Sequence, residues 1–311
     1  MATGEGKKTI IAAMAANAGI AVAKFVAFVV TGSASMLAES IHSAADTSNE
    51  GLLLLGSRRA RKIADDQHQF GYGRERYFWA FIVALVLFTV GGLYSVLEGI
   101  GKIREPHEIS SVGWAIGVLV AALAFEGFSF GTAVGEARAV MGDQSWWSYV
   151  RRSRAPEVPV VLFEDAAALT GLTFALAGIG MSTVTGDPVW DGVGTLAIGV
   201  LLVTVAVILT VEMQSLLIGE AATDDDIRMI REAVSSRPSV VRIIDLRTQH
   251  IGPEELLVAG KLEFDRGLSN VELTEAIDRV EGAIRDRVPH ARHIYLEPDV
   301  FEDGYEPSSL S

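Results

Sequence analysis

The chain has 311 residues, 50% of them hydrophobic, with positive mean hydropathy and a formal net charge of −13. It is too apolar for an ordinary soluble domain of this size, and too acidic for nucleic acid, whose phosphates call for a basic surface. With no cysteine it has no disulfides and no thiolate sites for zinc, copper(I) or iron–sulfur clusters.

The apolar residues bunch in the first two thirds, while 11 basic and 20 acidic residues fall from Leu217 onward. That asymmetry predicts a mainly α membrane protein: a membrane domain over 1–216, a small acidic α+β domain over 217–302 and a polar tail over 303–311. A bilayer span takes roughly 20 predominantly apolar residues. Six windows qualify, at about 10–31, 34–56, 77–100, 112–136, 158–182 and 189–213. The first continues as a full span without a small-residue cleavage site, so it reads as the first helix of the mature protein rather than a signal peptide. Tight turns at Thr31-Gly32-Ser33 and Thr185-Gly186-Asp187-Pro188 join neighbouring windows.

In the second window Glu39, His42, Asp46 and Asn49 recur at intervals of three and four, which puts them on one helix face. His42 and Asp46, one turn apart, can ligate one ion. Alternatively, His42 is a satisfied core histidine and Asp46 bonds a neighbouring helix. Inside a bilayer such partners are few and intramembrane charge is costly, so the metal reading is preferred.

The linker after this window is basic, with Arg58, Arg59, Arg61, Lys62, Arg74 and Arg76. It also holds Asp65-Asp66-Gln67-His68, then Phe70-Gly71-Tyr72-Gly73. Asp65 and His68, three apart, can hold a second ion or form a solvated acidic turn. The Gly-x-Gly follows no strand and is not a dinucleotide loop.

Further along, Glu126 sits mid-window in the fourth span and Glu164-Asp165 in the fifth. At 1.5 Å per residue, Asp46 and Glu126 lie roughly 18 and 20 Å from the outer ends of their spans. Asp165 lies roughly 10 Å from its inner end, nearly the same level in a core about 30 Å thick. Between these spans, Trp146, Trp147 and Tyr149 beside Arg151, Arg152 and Arg154 read as an interfacial segment. Lys7, Lys8 and the two basic linkers lie on one side of the membrane. The positive-inside rule makes that side the cytoplasm and puts both termini there, as an even number of spans requires.

Beyond Glu220 the pattern becomes α-β-β-α-β. A helix capped by Thr223 runs to about 235, strands cover 240–249 and 256–264, a helix covers 269–287 and a last strand covers 293–300. His290, His293, Glu297 and Asp299 gather near the last strand, and His250 stands alone at a strand end. These read as exposed residues ahead of metal ligands.

In order and spacing these residues resemble the cation diffusion facilitator family over nearly the whole chain. The resemblance rests on Glu39-Ser40-Ile41-His42-Ser43-Ala44-Ala45-Asp46-Thr47-Ser48-Asn49 and on Asp65-Asp66-Gln67-His68-Gln69-Phe70-Gly71-Tyr72-Gly73. With Glu164-Asp165-Ala166-Ala167-Ala168-Leu169-Thr170-Gly171, it looks like the branch that includes the animal mitochondrial zinc transporter 9. The resemblance implies a six-transmembrane-helix bundle, a cytoplasmic metallochaperone-like regulatory and dimerisation domain, a homodimer, and exchange of a divalent cation for protons. It also implies that His42 and Asp46 are half of the transport site. Counting back from Asp191, Asp165 takes the family's histidine position and Leu169 its aspartate position, so Glu164 or Glu126 must act with Asp165 if four protein ligands are needed. In the linker, Asp65 and His68 match second-site ligands, with Tyr72 in place of a histidine. Glu297 and Asp299 fall where some members carry ligands.

Ligand chemistry then predicts a secondary transporter, not an enzyme: a metal/proton antiporter exporting metal from the cytoplasm. Binding needs neutral His42 and ionised Asp46 and Asp165, so protons and metal compete for the same atoms. Histidine and carboxylate without sulfur suit zinc best, with manganese, iron(II) and cobalt as alternatives. A membrane-anchored metal sensor is a rival. An intramembrane hydrolase is disfavoured, since no His-Glu-x-x-His helix is present.

Overall fold

The structure, a computed structural model, describes residues 4–302 except 110, 142–144, 147–148 and 150–152. Two compact units emerge: a helical unit of Met1–Arg59 and Tyr77–Gln214, and a second unit of Ala60–Arg76 and Ser215–Ser311.

In the helical unit a helix occupies each of the six apolar windows. These are α1 (Gly4–Thr31), α2 (Ala34–Arg59), α3 (Glu75–Val86) continuing through a π-helical segment at Leu87–Leu93 into α4 (Tyr94–Arg104), α5 (Val112–Met141), α6 (Glu157–Thr185) and α7 (Val189–Ile218). Among the described residues, four of them are long and apolar enough to cross a membrane: Glu75–Arg104, Val112–Gly135, Pro159–Thr185 and Val189–Ile218. In α1 the described apolar run is shorter, Ala18–Thr31. With 26 residues α2 is long enough, roughly 39 Å, but its polar residues keep it from qualifying on composition. Those residues point inward: Glu39, His42, Ser43 and Asn49 are all buried.

The outside of this unit carries the opposite chemistry. Val29, Phe125, Phe128, Val184 and Val211 are more than 60% exposed. Polar groups inside and apolar side chains outside suit a lipid surround rather than water. Close helix packing rests on glycine. A Cβ at Gly199 in α7 would lie 2.5 Å from Val96 N in α4, and one at Gly99 in α4 would lie 2.6 Å from Leu196 N. Small residues of this kind let membrane helices approach backbone to backbone. Asp191, in the first turn of α7, accepts hydrogen bonds from Ser33 Oγ at 2.7 Å and Ala34 N at 2.8 Å. It thereby caps the start of α2 from a different helix, satisfying amides that have no partner inside α2.

The second unit has α8 (Asp224–Ser235), β1 (Val240–Gly252), β2 (Glu255–Phe264), α9 (Asn270–Arg287) and β3 (His293–Pro298), in the expected α-β-β-α-β order. The sheet order is β1-β2-β3, with β1 antiparallel to β2 and β2 parallel to β3 across the α9 crossover. Ile230 and Val234 of α8, Val258 and Leu262 of β2, and Val280 and Ile284 of α9 share one core. Thr223 caps α8, and Ser269 with Glu272 forms a reciprocal capping box on α9.

Residues 60–76, read from the sequence as a linker between spans, fold with this second unit. Gly73 meets Gly252 at the β1–β2 turn so closely that a Cβ on Gly73 would sit 2.9 Å from the Gly252 Cα. The Phe70 ring packs edge-on against His293, 5.2 Å between centroids. Of the interfacial segment, Trp146 lies 5.9 Å from the Arg138 guanidinium. Trp147, Arg151 and Arg152, and the tail 303–311, lie outside the described residues.

Candidate metal centre

The apolar run of α2 is interrupted every three to four residues, so its polar face turns as a stripe toward α1, α5 and α6. At the first step Lys24 of α1 donates to Glu39 Oε2 at 3.0 Å and to Ser43 Oγ at 2.7 Å. All three residues are buried. Glu39 fits against α6 because Gly171 leaves room; a Cβ there would lie 2.7 Å from Glu39 Oε1.

One turn on, His42 Nδ1 lies 3.3 Å from Asp46 Oδ1. His42 is fully buried, and neither ring nitrogen has a hydrogen-bond partner among the described residues. A further turn brings Asn49, whose Nδ2 donates to Glu164 Oε1 of α6 at 2.8 Å.

These contacts surround a cavity of about 40 Å³ lined by Ser43, Asp46, Glu50, Leu53, Glu126, Val161, Glu164, Asp165 and Ala168. A water needs roughly 10–15 Å³ measured this way, so a cation with a few waters fits. Of the residues singled out from sequence, the structure brings Asp46, Glu126, Glu164 and Asp165 onto this one cavity. His42 stands behind its wall, in contact through Asp46. Leu169 does not line it and reaches instead toward Gly127 of α5. Lys24 and Glu50 belong to the same polar interior and went unremarked in the sequence.

In the second unit, Asp65 closes a turn on itself. Its Oδ1 accepts from the backbone amides of Gln67 at 3.0 Å and His68 at 2.8 Å, and its Oδ2 accepts from the Tyr72 hydroxyl at 2.6 Å. The His68 Nδ1 lies 3.6 Å from Asp65 Oδ1, and the His68 and Tyr72 rings are 4.4 Å apart. The Tyr72 hydrogen bond, followed by the His68 amide, holds the Asp65 carboxyl below its usual range. Glu297 and Asp299 are paired with Lys261 Nζ at 3.3 and 3.1 Å, so an ammonium already neutralises them. His250, alone in the sequence, lies beside His290 and Asp226.

Comparison with known proteins agrees with this architecture. Residues 10–218 match the cation efflux transmembrane domain, and residues 222–299 match the cytoplasmic domain of cation efflux proteins. The chain is 33% identical to the proton-coupled zinc antiporter SLC30A9, mitochondrial, of Homo sapiens, over 93% of this chain and 58% of that protein. The Xenopus laevis counterpart is 31% identical over 93% of this chain and 59% of its own length. The chain therefore spans about three fifths of these relatives. The cation-efflux pump FieF of Serratia proteamaculans is 28% identical over 92% of this chain and 90% of the pump.

Proposed function

The chain belongs to the cation efflux family, and we propose that it exchanges a divalent metal ion, zinc first, for protons across a membrane. The observation that carries this is the cavity shared by Asp46, Glu126, Glu164 and Asp165. Carboxylates crowded around so small a volume repel one another unless cations are present. A divalent ion supplies that charge in one state and protons supply it in the other, so each displaces the other. Alternation of access between the two faces then converts displacement into antiport.

In this reading Asp46, Asp165, Glu164 and Glu126 are metal ligands or proton carriers at the cavity. His42 joins them by a small side-chain movement once metal draws Asp46 away. Asp65 and His68 form a secondary site that Tyr72 weakens. All six long helices cross the bilayer, α2 included, because its polar stripe faces protein. Both termini are cytoplasmic, metal leaves the cytoplasm, and the second unit pairs two copies as a homodimer. The relatives named as zinc antiporters support zinc. The oxygen-only lining of the cavity favours a second reading, a harder ion such as manganese or iron(II), with cobalt between.

Uptake of each metal into proteoliposomes loaded with a pH-sensitive dye tests the proposal. Zinc entry should raise luminal pH and collapse with a protonophore. Uptake indifferent to pH on both sides would leave facilitated diffusion as the better description.

A further inference from the structure

The second unit holds a cluster of ligand-type side chains that the transport cavity does not use. Asp226 is in the first turn of α8, His250 is near the end of β1, and His290 is in the turn between α9 and β3. Their ligand atoms all lie within 4.8 Å of one another. His290 Nε2 is 3.4 Å from Asp226 Oδ2. The two imidazole rings are nearly parallel, 14° apart, with centroids separated by 5.9 Å.

Zinc–ligand bonds of about 2.0–2.1 Å place tetrahedral ligands roughly 3.3 Å apart. Closing a spread of up to 4.8 Å to that value takes at most about 1.5 Å of side-chain adjustment. His290 is one third exposed and sits in a turn, so it has the freedom to move. The other two are fixed. Asp226 and His250 are 8% and 2% exposed. Thr223 Oγ1 donates to Asp226 Oδ2 at 2.7 Å while accepting from the Asp226 amide, which orients the carboxylate as an outer hydrogen bond orients a metal ligand. The backbones of the two histidines are tied down as well: His250 N donates to Glu220 O and His290 O accepts from Leu256 N, both at 2.8 Å.

We propose that Asp226, His250 and His290 form a divalent-metal site of the zinc type, with a fourth position open to water. Two imidazoles and one carboxylate are a common zinc donor set. The ligands come from three separate elements, so a bound ion fastens the start of α8, the end of β1 and the α9–β3 turn together. Metal that binds the folded form alone stabilises it in proportion to occupancy. A bound ion thereby holds these three elements more firmly in the folded second unit.

The test uses the whole 311-residue chain in detergent, with Asp46→Ala, Asp65→Ala and His68→Ala removing one donor at the cavity and two at the linker turn. Cobalt(II) added to this background should give the visible absorption of a tetrahedral nitrogen/oxygen site. Adding His290→Gln should abolish that band or weaken the affinity at least tenfold. A band unchanged in His290→Gln, or no tetrahedral cobalt in the background protein, overturns the proposal. A second measurement covers a variant that fails to fold: diethyl pyrocarbonate modification of His290 in the unmutated protein, read by mass spectrometry. Cobalt should protect His290; modification at the same rate with and without cobalt also overturns the proposal.

Discussion

Lys24 and Glu39 form an ion pair with both side chains fully buried. Breaking one half of such a pair strands a charge and costs roughly 3–5 kcal/mol, whereas removing both halves is often nearly neutral. Lys24→Met should therefore lower resistance to unfolding in detergent sharply, and Lys24→Met with Glu39→Gln should recover most of the loss. A double variant as fragile as the single one would mean that Lys24 acts through packing. At the linker turn, Tyr72→Phe removes the hydrogen bond that contributes most to lowering Asp65. The Asp65 carboxyl should titrate closer to its ordinary value of about 3.9, read by carbon NMR, and metal should bind the turn more tightly because Oδ2 is released. The sign follows from the depressed value: the turn's stabilisation is present above the ordinary pKa and is lost as pH falls through the folded one. An unchanged titration would contradict the assignment. Four of the cavity's five carboxylates, Asp46, Glu126, Glu164 and Asp165, were legible in the sequence because charge in an apolar window stands out; Glu50, close to the basic end of its window, was not. Nor was Lys24, since one long-chain lysine among apolar residues also reads as a side chain reaching along its helix to the interface.

At the scale of elements, the six apolar windows located the long helices described in the helical unit because hydropathy is a property of continuous sequence. The π-helical segment at Leu87–Leu93 was not visible, since it depends on how that helix packs rather than on its own residues. The cap that Asp191 places on α2 was hidden for the same reason, its donors being more than 150 residues away. Residues 60–76 were assigned by position between two spans, yet contacts such as Gly73 against Gly252 and Phe70 against His293 join them to the second unit. Glycine contacts give this scale its prediction. Gly199→Leu would drive a side chain into the backbone of α4, and overpacking of this kind typically costs about 1–3 kcal/mol, occasionally more. A Cβ at Gly113 in α5 meets nothing within 4 Å, so Gly113→Leu should be tolerated. Size-exclusion profiles in detergent separate the two; equal behaviour would mean that α4 and α7 do not depend on close approach.

For the whole molecule, the family and the division into apolar helices and a small α+β domain followed from hydropathy, charge asymmetry and the motifs at 39–49, 65–73 and 164–171 together. The cluster of Asp226, His250 and His290 did not, because its members are spread over 65 positions and meet only once the second unit folds. The same limit applies to His42. Its spacing from Asp46 was legible, but its place behind the cavity wall depends on helices far away in sequence. The account as a whole stands on the cavity at Asp46 being the route of the metal. Zinc flux into proteoliposomes under a fixed proton gradient, compared for the unmutated protein and Asp46→Ala at equal inserted amounts, tests this most directly. Loss of an intramembrane carboxylate removes a desolvation cost, so the variant should still insert and fold. Flux reduced to that of protein-free vesicles is the predicted result, and flux near that of the unmutated protein would contradict it.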